Sequence, residues 1–139
     1  MPRGYKDWTV PIAWIEQLIG VKLVADWGAI QAEDVDAVGG ALAATGTWTQ
    51  LITYTVPAGK TLLIYDWSAA IENGDGQIIG NLQYISPTVH LSYSGGQRGF
   101  QASFLKPKRV TEGKTVVVLG RQDTGSDKLL EGTFGGTLI

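Results

Sequence analysis

Residues 55–71 read T-V-P-A-G-K-T-L-L-I-Y-D-W-S-A-A-I. A turn opens the stretch at Val56-Pro57-Ala58-Gly59-Lys60. Proline presets one turn dihedral and glycine accepts positive φ, so the chain can reverse tightly here. A long strand then runs over residues 61–71. Period-2 alternation puts Leu63, Tyr65, Trp67, Ala69 and Ile71 on one face. Leu62 and Ile64 point the other way, followed by Asp66 and Ser68. The strand thus begins apolar on both sides and ends with one wet face, as a central strand of a β-sandwich does.

The device returns at Val110-Thr111-Glu112-Gly113-Lys114-Thr115, followed by Val116-Val117-Val118. Both copies read V-x-x-G-K-T and then three aliphatics. They are read as two equivalent corners of one sandwich, each a turn entering a buried strand.

The 139 residues are enough for one domain with a real core. A hydrophobic content of 44% and a charged content of 17% belong to a globular chain, not a disordered one. The 19 glycines, mostly at strand boundaries, favour an all-β fold with many turns. A net charge near −2 gives no drive toward nucleic acid. No cysteine is present, which excludes disulfides, thiolate metal sites and a cysteine nucleophile. The start, M-P-R-G-Y-K-D-W, has no apolar core of a signal peptide, and no apolar run reaches membrane-spanning length.

Residues 1–46 read as an N-terminal arm and loop. Residues 11–19 suit a short helix capped near Thr9, with Ile12, Ile15 and Ile19 on one side; Val21 and Leu23 suit a short strand equally well. Residues 28–46 read as loop because of Gly39-Gly40 and Gly46. The arm carries Trp8, Trp14, Ile15, Ile19 and Leu23, too many large apolar groups for a free tail. These five are the candidate partner-binding residues.

From residue 47 the pattern turns regular. Trp48, Ile52, Tyr54 and Val56 share one face of residues 47–56. Asn73-Gly74-Asp75-Gly76 gives a hairpin signal. Residues 77–85 place Ile78, Leu82 and Tyr84 inward. After Ser86-Pro87, residues 88–94 alternate Val89, Leu91 and Tyr93 against His90, Ser92 and Ser94. Gly95-Gly96-Gln97-Arg98 is a further turn, and Phe100, Ala102 and Phe104 then point inward. Leu130, Phe134 and Leu138 face the core of the last strand. Seven strands, or eight with one from the arm, predict an antiparallel β-sandwich over residues 47–139, a jelly roll in preference to an immunoglobulin-like arrangement. Ile64, Trp67, Leu91, Phe104, Val117 and Phe134 are its expected core.

The sequence lacks a recognisable catalytic pattern. Gly59-Lys60-Thr61 and Gly113-Lys114-Thr115 mimic the end of a phosphate loop, but Tyr54 and Lys108 stand where its first glycine belongs. Both also precede strands, whereas a phosphate cradle opens a helix. One histidine, His90, cannot build a cupin-type metal site, and no G-x-S-x-G accompanies it. Asn73 with Asp75 lacks the remaining oxygen ligands and the terminal glutamate of a calcium loop and reads as a turn, while the run Glu33-Asp34-Val35-Asp36 reads as a solvated loop in preference to a cation site. No strand presents two acids on one apolar-walled face for glycoside hydrolysis. Tyr65, Trp67 and Trp48 alternate with aliphatics and read as core before sugar-stacking platforms. The expectation is no enzyme, no cofactor and no bound metal.

The start M-P-R-G-Y-K-D-W-T-V-P, with T-V-P-A-G-K-T-L-L-I, S-G-G-Q-R-G-F and F-L-K-P-K-R-V-T-E-G-K-T-V-V-V, resembles the small jelly-roll and β-sandwich structural proteins of tailed bacteriophages. These include capsid decoration (cement) proteins and modules of tails and fibres. The resemblance implies a virion structural protein, made in the host cytoplasm, that decorates and stabilises a capsid. Its implied partners are itself, as a trimer by preference, and the major capsid or another virion protein, with neither nucleic acid nor membrane. A carbohydrate- or receptor-binding tail-fibre module is the first alternative, and a hydrolase with an unrecognised carboxylate site the second.

Overall fold

The computed structural model describes residues 33–139 apart from Asp75. The expectations for an arm at Trp8, Trp14, Ile15, Ile19 and Leu23 lie outside these residues. Glu33–Ile139 form one compact unit.

Eight strands build it: β1 (Glu33–Ala43), β2 (Thr49–Thr55), β3 (Leu62–Ile71), β4 (Gln77–Ile85), β5 (Val89–Gln97), β6 (Gly99–Val110), β7 (Thr115–Gln122) and β8 (Lys128–Leu138). They form two four-stranded sheets, ordered β1-β8-β3-β6 and β2-β7-β4-β5. Every paired neighbour is antiparallel. In this order β1 pairs with β8, β2 with β7, β3 with β6 and β4 with β5. A single long hairpin rolled over on itself gives that pairing, which is the jelly roll.

The two V-x-x-G-K-T corners sit side by side. Pro57 O accepts from Lys60 N–H, and Thr111 O accepts from Lys114 N–H. Gly59 has φ +78 and Gly113 φ +79, so each turn is type II with glycine at its third position. The corners also bond to each other: Gly113 N–H donates to Val56 O at 3.0 Å, and Val56 N–H donates to Lys114 O at 2.9 Å. Val56 and Val110 are both buried, as are the following inward pairs Leu62 and Ile64, and Val116 and Val118. The repeated sequence therefore marks repeated structure, one corner on each arm of the rolled hairpin. An added Cβ at Gly59 or Gly113 meets nothing within 4 Å. Alanine at either position is expected to lose about 1–2 kcal/mol through backbone strain alone. Equal melting shifts for the two variants, measured by circular dichroism, check this.

Ile64, Trp67, Val117 and Phe134 are buried as expected; Leu91 and Phe104 are partly buried against the same core. Five expectations need correction. Residues 33–43, read as loop, form β1, so the sandwich begins at Glu33 and not at residue 47. Tyr65 is exposed, because one residue is inserted in β3 between Ile64 and Asp66 opposite β8. That bulge switches the inward set from Leu62 and Ile64 to Trp67, Ala69 and Ile71. A second bulge at Leu91 leaves Ser92 opposite inward Leu82 and turns Tyr93 out to solvent. The switch is useful to the core: Trp67 Nε1 donates to Ser92 Oγ at 3.1 Å, so the buried indole N–H is satisfied. Trp48, placed in the core by alternation, precedes β2 and is exposed. The turn through Asn73 joins β3 to β4 across the two sheets and is not a hairpin.

Candidate interaction surface

The sheet β1-β8-β3-β6 has its most exposed apolar side chains on its two edges. On β1 the inward set is Val35, Ala37, Gly39, Ala41 and Ala43, and the outward set includes Asp34, Asp36, Val38 and Leu42. Val38 is 74% and Leu42 65% exposed. On β6 the ladder to β3 shifts between Lys108 and Ser103, so four residues, Phe104-Leu105-Lys106-Pro107, stand opposite Tyr65 alone. Proline is tolerated there because an edge excursion asks no ladder bond of it. Leu105 projects from the excursion and is fully exposed. Lys108 Nζ lies 5.1 Å from the centre of the Phe104 ring.

Charge separates the edges. β1 carries Glu33, Asp34 and Asp36, and the β6 excursion and strand end carry Lys106, Lys108 and Arg109. Among the described residues there is one ion pair, Lys60 with Glu33 at 3.9 Å, and it is solvent-exposed. A pair of that kind contributes little to stability. Burial, with Glu33 adding to it, pushes the Tyr54 phenol above its ordinary value of 10.0. Tyr54 therefore stays neutral beside Phe134, whose ring it meets edge-on at 5.8 Å.

The expected solvated loop at Glu33-Asp34-Val35-Asp36 is instead this strand edge. Asp34 and Asp36 share the outer face, while Glu33 lies on the face of Val35, so the three do not converge on one point. Among the described residues, no three His, Asp or Glu side chains gather as a metal would require.

His90 is on the outer face of β5. Its Nδ1 lies 3.1 Å from Tyr93 Oη and 3.3 Å from Asn81 Oδ1, and Asn81 Nδ2 donates to Gln83 Oε1 at 3.1 Å. The bulge at Leu91 is what brings His90 and Tyr93 to one face, where alternation had placed them on opposite faces. Their rings are 5.2 Å apart and tilted. No carboxylate orients the imidazole in this cluster, so it lacks the geometry of a triad.

The Gly-Lys-Thr stretches are occupied structurally. Gly59 N–H donates to a Glu112 carboxylate oxygen and Lys114 Nζ donates to Ser86 O, so neither turn offers a cradle of free donors to a phosphate. Gln122 is wholly buried with all its hydrogen-bonding capacity used. Its Nε2 donates to Ala43 O and Ser126 O, and its Oε1 accepts from Thr124 N–H and Oγ1. It ties the β7–β8 loop to the end of β1. Beside it, Gln77, Ile79, Arg121 and Asp123 line a cavity of about 150 Å³, below the ~300–1,000 Å³ of ordinary ligand pockets.

No protein-family model and no curated protein sequence matches the chain. Solved structures are similar to this chain at low identity. One is from the acidic stable capsid structure of a Helicobacter pylori bacteriophage, at 11% identity and TM-score 0.45, covering 78% of this chain and 97% of that one. A second is from the disulfide-linked pili of Bacillus endospore appendages, at 16% identity and TM-score 0.42, covering 78% of this chain and 88% of that one. A third is the mitogen from Yersinia pseudotuberculosis, at 7% identity and TM-score 0.37, covering 74% and 85%.

Proposed function

We propose that this chain is a non-enzymatic virion structural protein that assembles with itself and decorates a capsid surface. The observation that carries the reading is the exposure of Val38, Leu42 and Leu105 on the two edges of one sheet. Large apolar side chains and unpaired strand edges are features that proteins cover by association. The phage-protein resemblance of the sequence supports the virion setting. The sequence ahead of β1 adds to it: Trp8, Trp14, Ile15, Ile19 and Leu23 are large apolar groups, and an arm that adds a strand to a neighbour's sheet gains backbone bonds and side-chain pockets together.

Deleting residues 1–27 is expected to leave the sandwich folded and to abolish stable self-association and capsid binding. Sedimentation equilibrium and rebinding to stripped particles measure both. A truncated chain that still assembles and still binds would remove the arm from the mechanism.

A second reading, a glycan-binding module of a tail or fibre, draws on Tyr93 and His90. Tyr93 is 58% exposed, pairs with Asn81 across the ladder and meets His90 Nδ1, an aromatic face with hydrogen-bonding groups at its border. Selective retention on a glycan array that Tyr93→Ala removes would favour this reading over decoration.

A further inference from the structure

The two edges of the β1-β8-β3-β6 sheet are matched in height as well as in charge. Glu33 pairs with Leu138, Leu138 with Leu62, and Leu62 with Val110. One row further, Asp34 pairs with Thr137, Thr137 with Leu63, and Leu63 with Arg109. Asp34 and Arg109 are thus at opposite ends of one row. Both are exposed, and both stand next to an inward residue, Val35 and Val110 respectively. They occupy the same outer face of the sheet.

Strand direction is matched too. Each step from β1 through β8 and β3 to β6 reverses direction, so β1 and β6 run opposite ways. A second copy moved sideways in the plane of the sheet would lay its β1 antiparallel beside β6. Asp34 of that copy would then stand directly across from Arg109, with Glu33 and Asp36 near Lys108 and Lys106. Opposite charges in facing positions favour such a pair, and like charges disfavour every other pairing of these edges. Acid with acid is what two β1 edges would meet, and base with base two β6 edges.

We infer that β1 of one copy docks antiparallel on β6 of the next, with Asp34 facing Arg109. The contact is head-to-tail, so it generates a ring if its rotation closes and a filament if it does not. The excursion at Phe104-Leu105-Lys106-Pro107 limits the ladder to residues 108–110 at this end and blunts the rest of the edge against indiscriminate pairing. Leu105, fully exposed, projects from this edge opposite Tyr65, level with Val35 and Asp36 on β1, while exposed Val38 stands further along in the row that ends at Gln101. So short a seam fixes register. The inference rests on the reading that the chain assembles with itself, not on its place in a virion.

The chain has no cysteine, so engineered thiols report cleanly. Facing residues of antiparallel strands have Cα atoms roughly 4.5–5.5 Å apart, within disulfide reach. The full-length double variant D34C with R109C is expected to give covalent multimers on mild oxidation, while either single variant stays monomeric on a non-reducing gel. Charge reversal provides the second arm. D34R and R109D should each weaken association about tenfold or more, and the two together should restore it. Double-cysteine chains that remain monomeric would overturn the inference, as the N-terminal segment covering β1 of its own chain would produce. Equal cross-linking of the single variants, the mark of a two-fold contact, would also overturn it, as would failure of the charge swap to rescue. If the seam fails while the protein is still found in particles, the virion reading stands and only this contact is lost.

Discussion

Replacing Trp67 by alanine is expected to destabilise the sandwich by about 3–5 kcal/mol. Trp67 lies on β3, a strand paired on both sides, and its side chain is fully buried. Its ring meets Phe100 edge-on, with centroids 4.8 Å apart at 73°. Its Nε1 holds Ser92 Oγ, the group that the bulge at Leu91 turns inward. Truncation therefore removes the largest fully buried side chain among the described residues, opens a cavity between the two sheets and leaves Ser92 without its donor. Urea unfolding followed by circular dichroism measures the loss. A change below about 0.5 kcal/mol, the size of a surface effect, would contradict the placement of this ring.

Gly39→Val is the second large effect, at about 1–3 kcal/mol or more. A Cβ at Gly39 would collide with the carbonyl oxygen of Leu51 and press on Ile52. The obstacle is backbone, and it belongs to the irregular register of β2 between Gln50 and Ile52. Neither side can rotate out of the way, so β1 must lift from β2. Hydrogen exchange should show the loss first along β1, with β3 and β7 retaining protection. A variant with wild-type stability and unchanged exchange in β1 would show that the close approach of β1 to β2 is not needed.

These two residues also show what could be read from the chain. Trp67 was legible because Ile64, Trp67, Phe134, Leu130 and Leu138 are large and apolar in segments bounded by clear turn signals. The paired V-x-x-G-K-T corners were legible for the same reason, since a type II turn needs glycine where Gly59 and Gly113 stand. β1 was not. Its core face is Val35, Ala37, Gly39, Ala41 and Ala43, small residues whose alternation carries little hydrophobic contrast. Gly39-Gly40 looked like a loop, whereas the space beside Leu51 is what demands a glycine at position 39. The bulges at Tyr65 and Leu91 were equally hidden. One inserted residue reverses the facing of everything after it, and nothing in the side-chain pattern announces the insertion.

The candidate surface divides the same way. Its charges are plain in the sequence as Glu33-Asp34-Val35-Asp36 and Lys106-Pro107-Lys108-Arg109. Their relation is not, because only the rolled order β1-β8-β3-β6 puts these two runs on opposite edges at one height. Trp8 and Trp14 stand out in the sequence by their size, and the deletion of residues 1–27 tests the role proposed for them.

The claim that the chain is a virion component is tested most directly by quantitative mass spectrometry of gradient-purified particles. The account predicts that the chain is present at many copies per particle, in a fixed ratio to the major capsid protein. Its absence from purified particles, while it is abundant in the infected-cell lysate, would contradict the account.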